Sequence, residues 1–319
     1  MNHIGKLAII IPAIKLEYFE STLESLSKQT CKDFVVYVGD DCSGKDFKSL
    51  CKKYENEFSI VYKCFDDNLG SYDLVGQWER CIDISLGEEW IWLFSDDDVI
   101  GEKCVELFYK EIIECKKKYP IYHFNVKIID GNGQVIKEPK EFPELITSID
   151  FYKKKSSAEL DSFVVEYIFS RTAYNEVGGF QRFDMAWGGD IATWIKMGNK
   201  DGIKTLNGDF VYWRQSNNNI TPNHKKEIVF RKLNIDIEFL SWVNNFFGKK
   251  SILLYNQYVL FRLLFFYSLI LDRYQVNLIL SDALAIKVLN IMCYYLLKFI
   301  YPIIPVLKYI KSHFYDNKK

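Results

Sequence analysis

The sequence predicts an α/β protein with a mainly parallel sheet and helices on both faces. Three observations support this prediction. In the first hundred residues, short apolar runs alternate with segments whose apolar residues recur every three or four positions. The apolar runs have the length and β-branched composition of strands buried on both faces. Alternating units of this size favour parallel strands joined by crossover helices.

The individual elements follow in chain order. Strands are predicted at residues 6–14, 34–38, 59–65 and 90–94, with a helix after each, the last at about 101–118. A hairpin is predicted over residues 121–136, with its turn at 130–133. The Lys- and Glu-rich stretch that follows, to about 158, is expected to be a surface loop. A strand at 163–169, helices at 170–177 and 190–197, and an extended segment at 203–213 complete this part.

Composition and charge exclude some functions. The chain has 319 residues and a net charge of −1, which gives no reason to expect a nucleic-acid partner. None of its eight cysteines forms a C-x-x-C pair, so zinc or thioredoxin-like chemistry is not expected. The first residues lack the pattern of a secretory signal, and we therefore expect a cytoplasmic protein with reduced thiols.

Acidic residues follow three of the first four predicted strands, where an open α/β sheet binds its ligands. The run Asp96-Asp97-Asp98 follows the fourth strand, and three adjacent carboxylates repel one another unless a positive charge neutralises them. Mg²⁺ or Mn²⁺, which prefer oxygen ligands, would serve and would in turn bind a diphosphate. The alternative is an acidic turn that caps the helix near residue 101.

Two further acidic positions have a functional and a structural interpretation. Asp40 and Asp41, at the end of the second strand, could accept hydrogen bonds from a base or ribose, or form an Asx turn with Ser43. Asp190 begins a helix after Gly188-Gly189, and it could be an N-cap or a general base at the mouth of a pocket. Each alone favours the structural role.

Together, six segments in order resemble the family 2 glycosyltransferases of the GT-A fold, over roughly residues 6–221. They are Ala8-Ile9-Ile10-Ile11-Pro12-Ala13, the helix Leu23–Thr30, Gly39-Asp40-Asp41-Cys42-Ser43, Asn68-Leu69-Gly70, Trp92–Asp98, and Val177-Gly178-Gly179-Phe180 followed by Asp190. They stand in turn for the opening strand, the first helix, V-D-D-G-S, N-x-G, the D-x-D region, and G-G-F with E-D.

The resemblance implies a role for each matched position. It places the donor nucleotide against Pro12, Ala13, Asp40, Asp41, Asn68 and Asp96. It also implies that Asp97, assisted by Asp98, ligates Mn²⁺ or Mg²⁺ under the diphosphate, and that Asp190 deprotonates the acceptor hydroxyl.

The sequence also departs from the family pattern. Ser95 replaces the first Asp of D-x-D, and Gly189 replaces the Glu of E-D. Trp78-Glu79 stands where the family often has R-N, which removes an expected diphosphate contact. Ser216 replaces the His that often touches the metal, and the neighbouring residues Asn217-Asn218-Asn219 could supply a ligand instead.

The C-terminal segment differs in composition from the rest of the chain. From Ser251 onward there are eight Lys and Arg against three Asp and Glu, a net charge of +5, among many Leu, Ile, Phe and Tyr. No uncharged run approaches the roughly 20 residues of a spanning helix. We expect a catalytic domain at 1–250 and, at 251–319, a pair of helices on an anionic membrane surface. A packed subdomain or a homodimer contact is the alternative.

The predicted function is a metal-dependent, inverting glycosyltransferase of the hexosyl- or hexosaminyltransferase class. It would move a sugar from a nucleotide-sugar donor, a UDP-sugar by preference, to a lipid-linked or oligosaccharide acceptor. The resemblance implies assembly of lipopolysaccharide, capsule or exopolysaccharide at the inner face of the cytoplasmic membrane. Two alternatives are a sugar nucleotidyltransferase, whose Gly-rich phosphate loop is missing from residues 11–14, and a non-catalytic protein of the same fold.

Overall fold

The computed structural model describes residues 7–215 and 224–304. The chain divides into two compact units, Met1–Ser216 and Asn217–Lys319. This division precedes the boundary expected at residue 250, because helix Lys226–Phe247 belongs to the second unit. The assignment of residues 1–250 to a catalytic domain stays a prediction.

The first unit contains the strands and helices that the sequence pattern indicates, and three more: the strands Val99–Ile100 and Leu145–Ile146 and the helix Ser148–Ser156. Its strands are β1 Leu7–Ala13, β2 Phe34–Asp40, β3 Ser59–Cys64, β4 Trp90–Leu93, β5 Val99–Ile100, β6 Ile121–Ile129, β7 Val135–Lys137, β8 Leu145–Ile146, β9 Tyr167–Ser170 and β10 Ile203–Arg214. Its helices are α1 Phe19–Ser27, α2 Phe47–Lys53, α3 Leu74–Ile82, α4 Cys104–Glu114, α5 Ser148–Ser156, α6 Arg171–Glu176 and α7 Gly189–Met197.

The strands form one mixed sheet in the order β3-β2-β1-β4-β9-β6-β10-β5, with β7 beside β6 and β8 beside β10. Strands β3, β2, β1 and β4 are parallel, and so are β6 and β10. Only β9 intervenes, and it is antiparallel to both β4 and β6. The carboxyl ends of the six long parallel strands therefore share one edge, and the predicted fold class is confirmed.

Burial explains why β1 lies at the centre. It pairs with β2 on one side and β4 on the other. Leu7, Ile9 and Ile11 join the core together with Phe19 and Leu23 of α1. Each such side chain removed from water contributes about 1.5–3 kcal/mol, so a nearly all-apolar strand belongs inside the sheet.

Residues 137–158 were expected to be a surface loop, and this expectation was wrong. They contain β8 and α5, and Thr147 caps α5 by accepting a hydrogen bond from the Asp150 N–H. Phe151 and Tyr152 are buried at the centre of α5. The many Lys and Glu residues around these few apolar anchors made the stretch look like a surface loop from its composition. Nearby, residues 164–166 form a 3₁₀ turn where a strand was predicted to begin.

The second unit is helical within residues 224–304. Its helices are α8 Lys226–Phe247, α9 Lys250–Phe266, α10 Arg273–Ala285 and α11 Ile291–Ile300, and a 3₁₀ turn follows at Tyr301–Ile303. Helices α10 and α11 are separate, and Lys287 lies between them with φ 62°. Lys287 and Lys298 therefore do not share one continuous helix. Across the described parts of the chain, no helix combines the length and apolarity needed to cross a membrane.

Candidate active site

The carboxyl ends of β1, β2 and β4 bring the predicted donor-binding residues to one edge of the first unit. The register aligns Ala13 with Asp40, and Ile10 with Leu93 just before the acidic run. The Asp41 N–H donates to the Ala13 carbonyl at 2.9 Å. Ala13 is fully buried and Pro12 is half-buried, so little of either side chain is open to a ligand.

Asp96 joins the loops that follow β1 and β4. Its Oδ2 accepts hydrogen bonds from the backbone N–H groups of Ile14 at 2.7 Å and Lys15 at 2.5 Å. Burial and the charge of Asp97 raise the pKa of Asp96 to about 6, although the two N–H donors oppose the rise. Asp96 therefore fixes the backbone beside the predicted nucleobase pocket with one of its two oxygens.

Asp97 is the member of the acidic run that forms an ion pair. Its Oδ2 lies 2.8 Å from the Lys15 ammonium, and its Oδ1 accepts a hydrogen bond from the Ser95 hydroxyl at 2.5 Å. Burial lowers the pKa of Lys15, but the charge and hydrogen bond of Asp97 outweigh burial and raise it. A lysine thus supplies the positive charge that three adjacent carboxylates require.

Asp98 is engaged elsewhere. It is buried, and its Oδ1 accepts a hydrogen bond from the Arg214 backbone N–H at 2.6 Å. The Arg214 Nε in turn donates to the Asp97 carbonyl at 2.7 Å. Burial and the charge of Asp97 raise the pKa of Asp98 well above its ordinary value. The contacts of Asp98 tie the end of β10 to the acidic run, which is a structural role.

Asp40 and Asp41 are also held by protein groups. Asp40 accepts from the Ser43 N–H at 2.9 Å and from the Tyr62 hydroxyl at 2.7 Å, so the Asx turn is present. Asp41 accepts from the Leu69 and Gly70 N–H groups, each at 2.9 Å, and pairs with Arg80 at 2.6 Å. Both carboxylates are buried.

Asn68 is exposed to solvent and directly precedes Leu69 and Gly70, whose N–H groups donate to Asp41. Its side chain accepts from the Ser71 N–H at 3.1 Å and caps a 3₁₀ turn. The structure therefore brings Asn68 to the edge that holds Asp41, and the N-x-G loop is fastened to the end of β2.

Asp190 lies in the first turn of α7, one residue after the helix start, so it is not the N-cap. Gly188 occupies the N-cap with φ 76°. Burial raises the pKa of Asp190, although backbone N–H groups at the helix start lower it. The Thr193 hydroxyl of the same helix accepts from the Gln181 N–H at 2.8 Å, which holds the preceding loop against α7. A half-buried carboxyl group with a raised pKa suits a general base.

A divalent cation at this edge would need oxygen ligands from the acidic run. Within residues 7–215 and 224–304, no three His, Cys, Asp or Glu side chains form a group that would hold a metal. Mg²⁺ commonly takes one or two carboxylates and completes its shell with water and substrate phosphates. Asp97 and the Ser95 hydroxyl fit that arrangement. Ser216, which replaces the family's His, and Asn217-Asn218-Asn219, which could supply a ligand instead, lie outside the described residues.

Comparison with known proteins decides the family. The model of glycosyl transferase family 2 matches residues 8–174, just over half of the chain. The chain belongs to this family. It is therefore a glycosyltransferase, as the sequence predicted, and family membership decides against a nucleotidyltransferase. No curated protein sequence matches the chain significantly.

Solved structures show the same fold. Residues 1–349 of S. aureus TarS in complex with UDP share 17% identity, with 93% of this chain and 91% of that chain covered and a TM-score of 0.56. The same TarS fragment in complex with UDP-GlcNAc gives 17% identity, 93% and 91% coverage, and a TM-score of 0.57. A longer TarS structure, 52% of which is covered, gives 0.58. The predicted GT-A fold is thereby confirmed.

One departure from the family 2 pattern has a steric reason. A Cβ added at Gly189 would lie 2.6 Å from the Gln181 carbonyl oxygen, which is backbone and cannot move aside easily. Any larger residue there, including the usual Glu, would force the loop away from α7. Gly189 therefore preserves the loop contact that Thr193 makes with Gln181.

The second departure from the family pattern is Trp78-Glu79 in place of R-N, and an arginine from another loop neutralises its glutamate. Glu79 pairs with Arg182, which also pairs with Asp73 at 2.8 Å. Trp78 packs against Phe180 of the G-G-F segment, with ring centroids 5.4 Å apart. Arg182 was missed by sequence reasoning because it lies 103 residues from Glu79.

A buried pair, His123 and Glu166, was also missed. The His123 Nε2 lies 3.3 Å from the Glu166 Oε1, and both side chains are at most 2% exposed. Burial lowers the pKa of His123 well below its ordinary value and raises that of Glu166 well above it, so burial favours the neutral form of each. Burial raises the pKa of the neighbouring Tyr167 well above its ordinary value, and the charges of Glu166 and of the candidate base Asp190 raise it further. Neither His123 nor Glu166 stands in a motif that could have identified it.

Proposed function

We propose that the enzyme transfers a hexose or hexosamine from a UDP-sugar to an acceptor hydroxyl during assembly of a surface polysaccharide. Family membership supports the reaction class. Structural neighbours that carry UDP and UDP-GlcNAc support the donor. The observation that carries the proposal is the link from Asp96 to the backbone of residues 14 and 15. This link holds the acidic run beside the end of β1, at the edge where the donor nucleotide is predicted to bind, which we call the nucleotide edge.

Asp97 is the proposed metal ligand, with Mn²⁺ or Mg²⁺ as the cation. When bound, the cation would stabilise the negative charge of the leaving nucleoside diphosphate. Asp98 is left out of this ligand set because Arg214 already occupies its Oδ1. Asp96 and Asp41 hold the loops that shape the nucleotide edge, and Pro12 and Ala13 contribute little exposed side-chain surface to it.

Asp190 is the proposed general base. It would take the proton from the acceptor hydroxyl as that oxygen attacks the anomeric carbon, and a single in-line displacement would invert the configuration there. Burial keeps the pKa of Asp190 above its ordinary value, which strengthens it as a base. The buried surroundings of the base also reduce competition from water.

A direct experiment tests donor and stereochemistry together. Thermal unfolding would be followed with a panel of nucleotide sugars, with and without Mn²⁺, because a ligand that binds the native state stabilises it. We expect UDP-sugars plus Mn²⁺ to raise the melting temperature most. The product formed from the best donor should have the opposite anomeric configuration by NMR. Retention of configuration, or stabilisation by another nucleotide alone, would overturn the corresponding part of the proposal.

We also propose that the second unit contacts an anionic membrane surface that carries a lipid-linked acceptor. On α11, Met292, Tyr295, Leu296 and Phe299 recur at helical spacing and are 73%, 63%, 52% and 75% exposed. The chain from Ser251 onward carries a net +5 charge. An exposed apolar stripe in a basic segment fits an interfacial helix, and a location on the inner face of the cytoplasmic membrane follows from this proposal.

Vesicle sedimentation tests the membrane contact. The wild type should sediment with vesicles containing anionic lipid, less so at high salt, and Met292→Glu/Phe299→Glu should lose about tenfold in partitioning. Ile113→Glu is the matched control, since Ile113 is 76% exposed on α4 of the first unit. A wild type that ignores vesicles at low salt would sink the proposal. Sedimentation velocity would then show whether the stripe belongs to a homodimer.

A further inference from the structure

Lys15 stands out among the residues of the nucleotide edge because it already occupies the position of a cation. Its ammonium lies 2.8 Å from the Asp97 Oδ2, the carboxylate assigned to the metal. The Asp97 side chain is 5% exposed and the Lys15 side chain 30% exposed, so the lysine is the more exposed partner of the pair. A divalent cation that binds the Asp97 Oδ2 must therefore compete with the Lys15 ammonium.

The backbone and the side chain of Lys15 are held in different ways. The backbone N–H donates to Asp96 at 2.5 Å, which anchors the residue at the edge. The ammonium is on a flexible four-carbon stem, so it can leave one anion for another nearby without moving the backbone. The donor's diphosphate would bring such an anion to the same edge.

We propose that Lys15 is a displaceable counter-ion of Asp97 that couples the binding of metal and nucleoside diphosphate. In the donor-free enzyme, Lys15 neutralises Asp97 and opposes cation binding. When a diphosphate is bound, Lys15 moves its ammonium to a phosphate oxygen, and Asp97 becomes available to the cation. This proposal rests on the function proposed above, and it assigns the order and cooperativity of binding.

The coupling has a reciprocal consequence. If the diphosphate strengthens cation binding by some factor, the cation strengthens diphosphate binding by the same factor. Removing the Lys15 charge should weaken this coupling from one side, because Asp97 would then be open to the cation without any nucleotide. A conservative Lys15→Arg change keeps the charge and should preserve weak cation binding in the free enzyme.

The test measures Mn²⁺ affinity by electron paramagnetic resonance and calorimetry, with and without UDP, on the full chain. In the wild type, saturating UDP should tighten Mn²⁺ binding by at least about tenfold. In Lys15→Met, Mn²⁺ without UDP should bind about tenfold more tightly than in wild type, and the gain from UDP should shrink accordingly. Lys15→Arg should resemble the wild type.

Lys45→Met is the matched control. Lys45, in the loop after β2, is exposed and its ammonium donates to the Ile14 carbonyl at 2.8 Å, so the variant removes the same charge next to the loop of Lys15 without touching Asp97. If it changes Mn²⁺ affinity as much as Lys15→Met does, the effect is general electrostatics and the proposal fails. Thermal melting would confirm that the variants fold.

The outcomes separate this inference from the proposed function. If Asp97→Ala removes UDP-linked Mn²⁺ binding while Lys15→Met equals the wild type without UDP, the metal site stands and the counter-ion proposal is overturned. If Asp97→Ala leaves UDP-linked Mn²⁺ binding intact, the metal assignment itself is overturned, and with it the role of Lys15.

Discussion

Two groups of acidic residues in the first unit are treated in opposite ways by their surroundings. The first group, Asp41 and Asp97, is paired: Arg80 reaches the carboxylate of Asp41, and Lys15 that of Asp97. The second group, Glu166 and Asp190, is joined to no Lys or Arg by an ion pair within the described residues. Burial is the first cause that raises the pKa of each.

The difference separates two kinds of chemistry. Carboxylates that form ion pairs with Lys or Arg are held in a fixed position, and a binding edge for a diphosphate and its cation needs groups in fixed positions. Carboxyl groups whose pKa is raised by burial can gain and lose protons closer to neutral pH, as proton transfer requires. The contrast therefore fits the proposal that the first group binds the donor and that Asp190 transfers the proton.

The largest effect should come from Asp97→Ala. Without this carboxylate the proposed cation loses its protein ligand, so Mn²⁺-dependent binding of UDP should vanish in calorimetry. Asp98→Asn is the control, because an amide oxygen can still accept the Arg214 N–H, and UDP binding should be retained. Equal UDP affinity in wild type and Asp97→Ala would remove Asp97 from the binding group.

Asp190→Asn should come next. The amide cannot accept the acceptor's proton, so kcat should fall by roughly 10²-fold or more, while donor affinity stays close to wild type. Steady-state kinetics together with UDP calorimetry separates the two quantities. Turnover near the wild-type value would mean that the base lies elsewhere, and Asp184 would be the next residue to test.

The pH dependence of kcat/KM should sharpen the contrast. Asp190 acts as a base only when ionised, so activity should fall as the pH falls through its pKa. Because burial raises that pKa, the acidic limb should lie above the ordinary value of 3.8. Rates measured from pH 4.5 to 8 would show this limb. If the limb persists unchanged in the residual activity of Asp190→Asn, another group causes it.

The smallest effect should be on stability, through Glu166. Its folded pKa is raised, so its stabilising contribution is complete below the ordinary unfolded value of 4.5 and is lost as pH rises towards the folded value. Glu166→Gln cannot ionise. Between pH 4.5 and the folded pKa of Glu166, its free energy of unfolding should therefore rise relative to that of the wild type by up to about 1.4 kcal/mol per pH unit.

Urea unfolding between pH 5 and 8 would measure the Glu166 effect. His123 is common to both proteins, so its own titration largely cancels in the comparison. Glu102→Gln, at an exposed position of the same unit, is the control and should show no such trend. A difference between Glu166→Gln and wild type that is independent of pH would mean that Glu166 is ionised in the folded protein.

The sequence by itself determined the α/β order of the first unit, the position of the acidic residues at strand ends and the G-G-F break before α7. These features follow from local periodicity and from chain order, which the sequence displays directly. The same local signals indicated that the C-terminal segment is helical. They wrongly predicted a surface loop for residues 137–158, because the buried apolar residues there are few.

Only the tertiary structure decided which charges meet. Lys15 reaches Asp97 across 82 positions, and Arg214 reaches Asp98 across 116, so no local pattern could pair them. The same holds for the burial of Glu166 and His123, since the pKa of a carboxyl group depends on how completely the folded chain removes water from it. The sequence supplied the acidic residues, and folding assigned some of them fixed partners and left others to exchange protons.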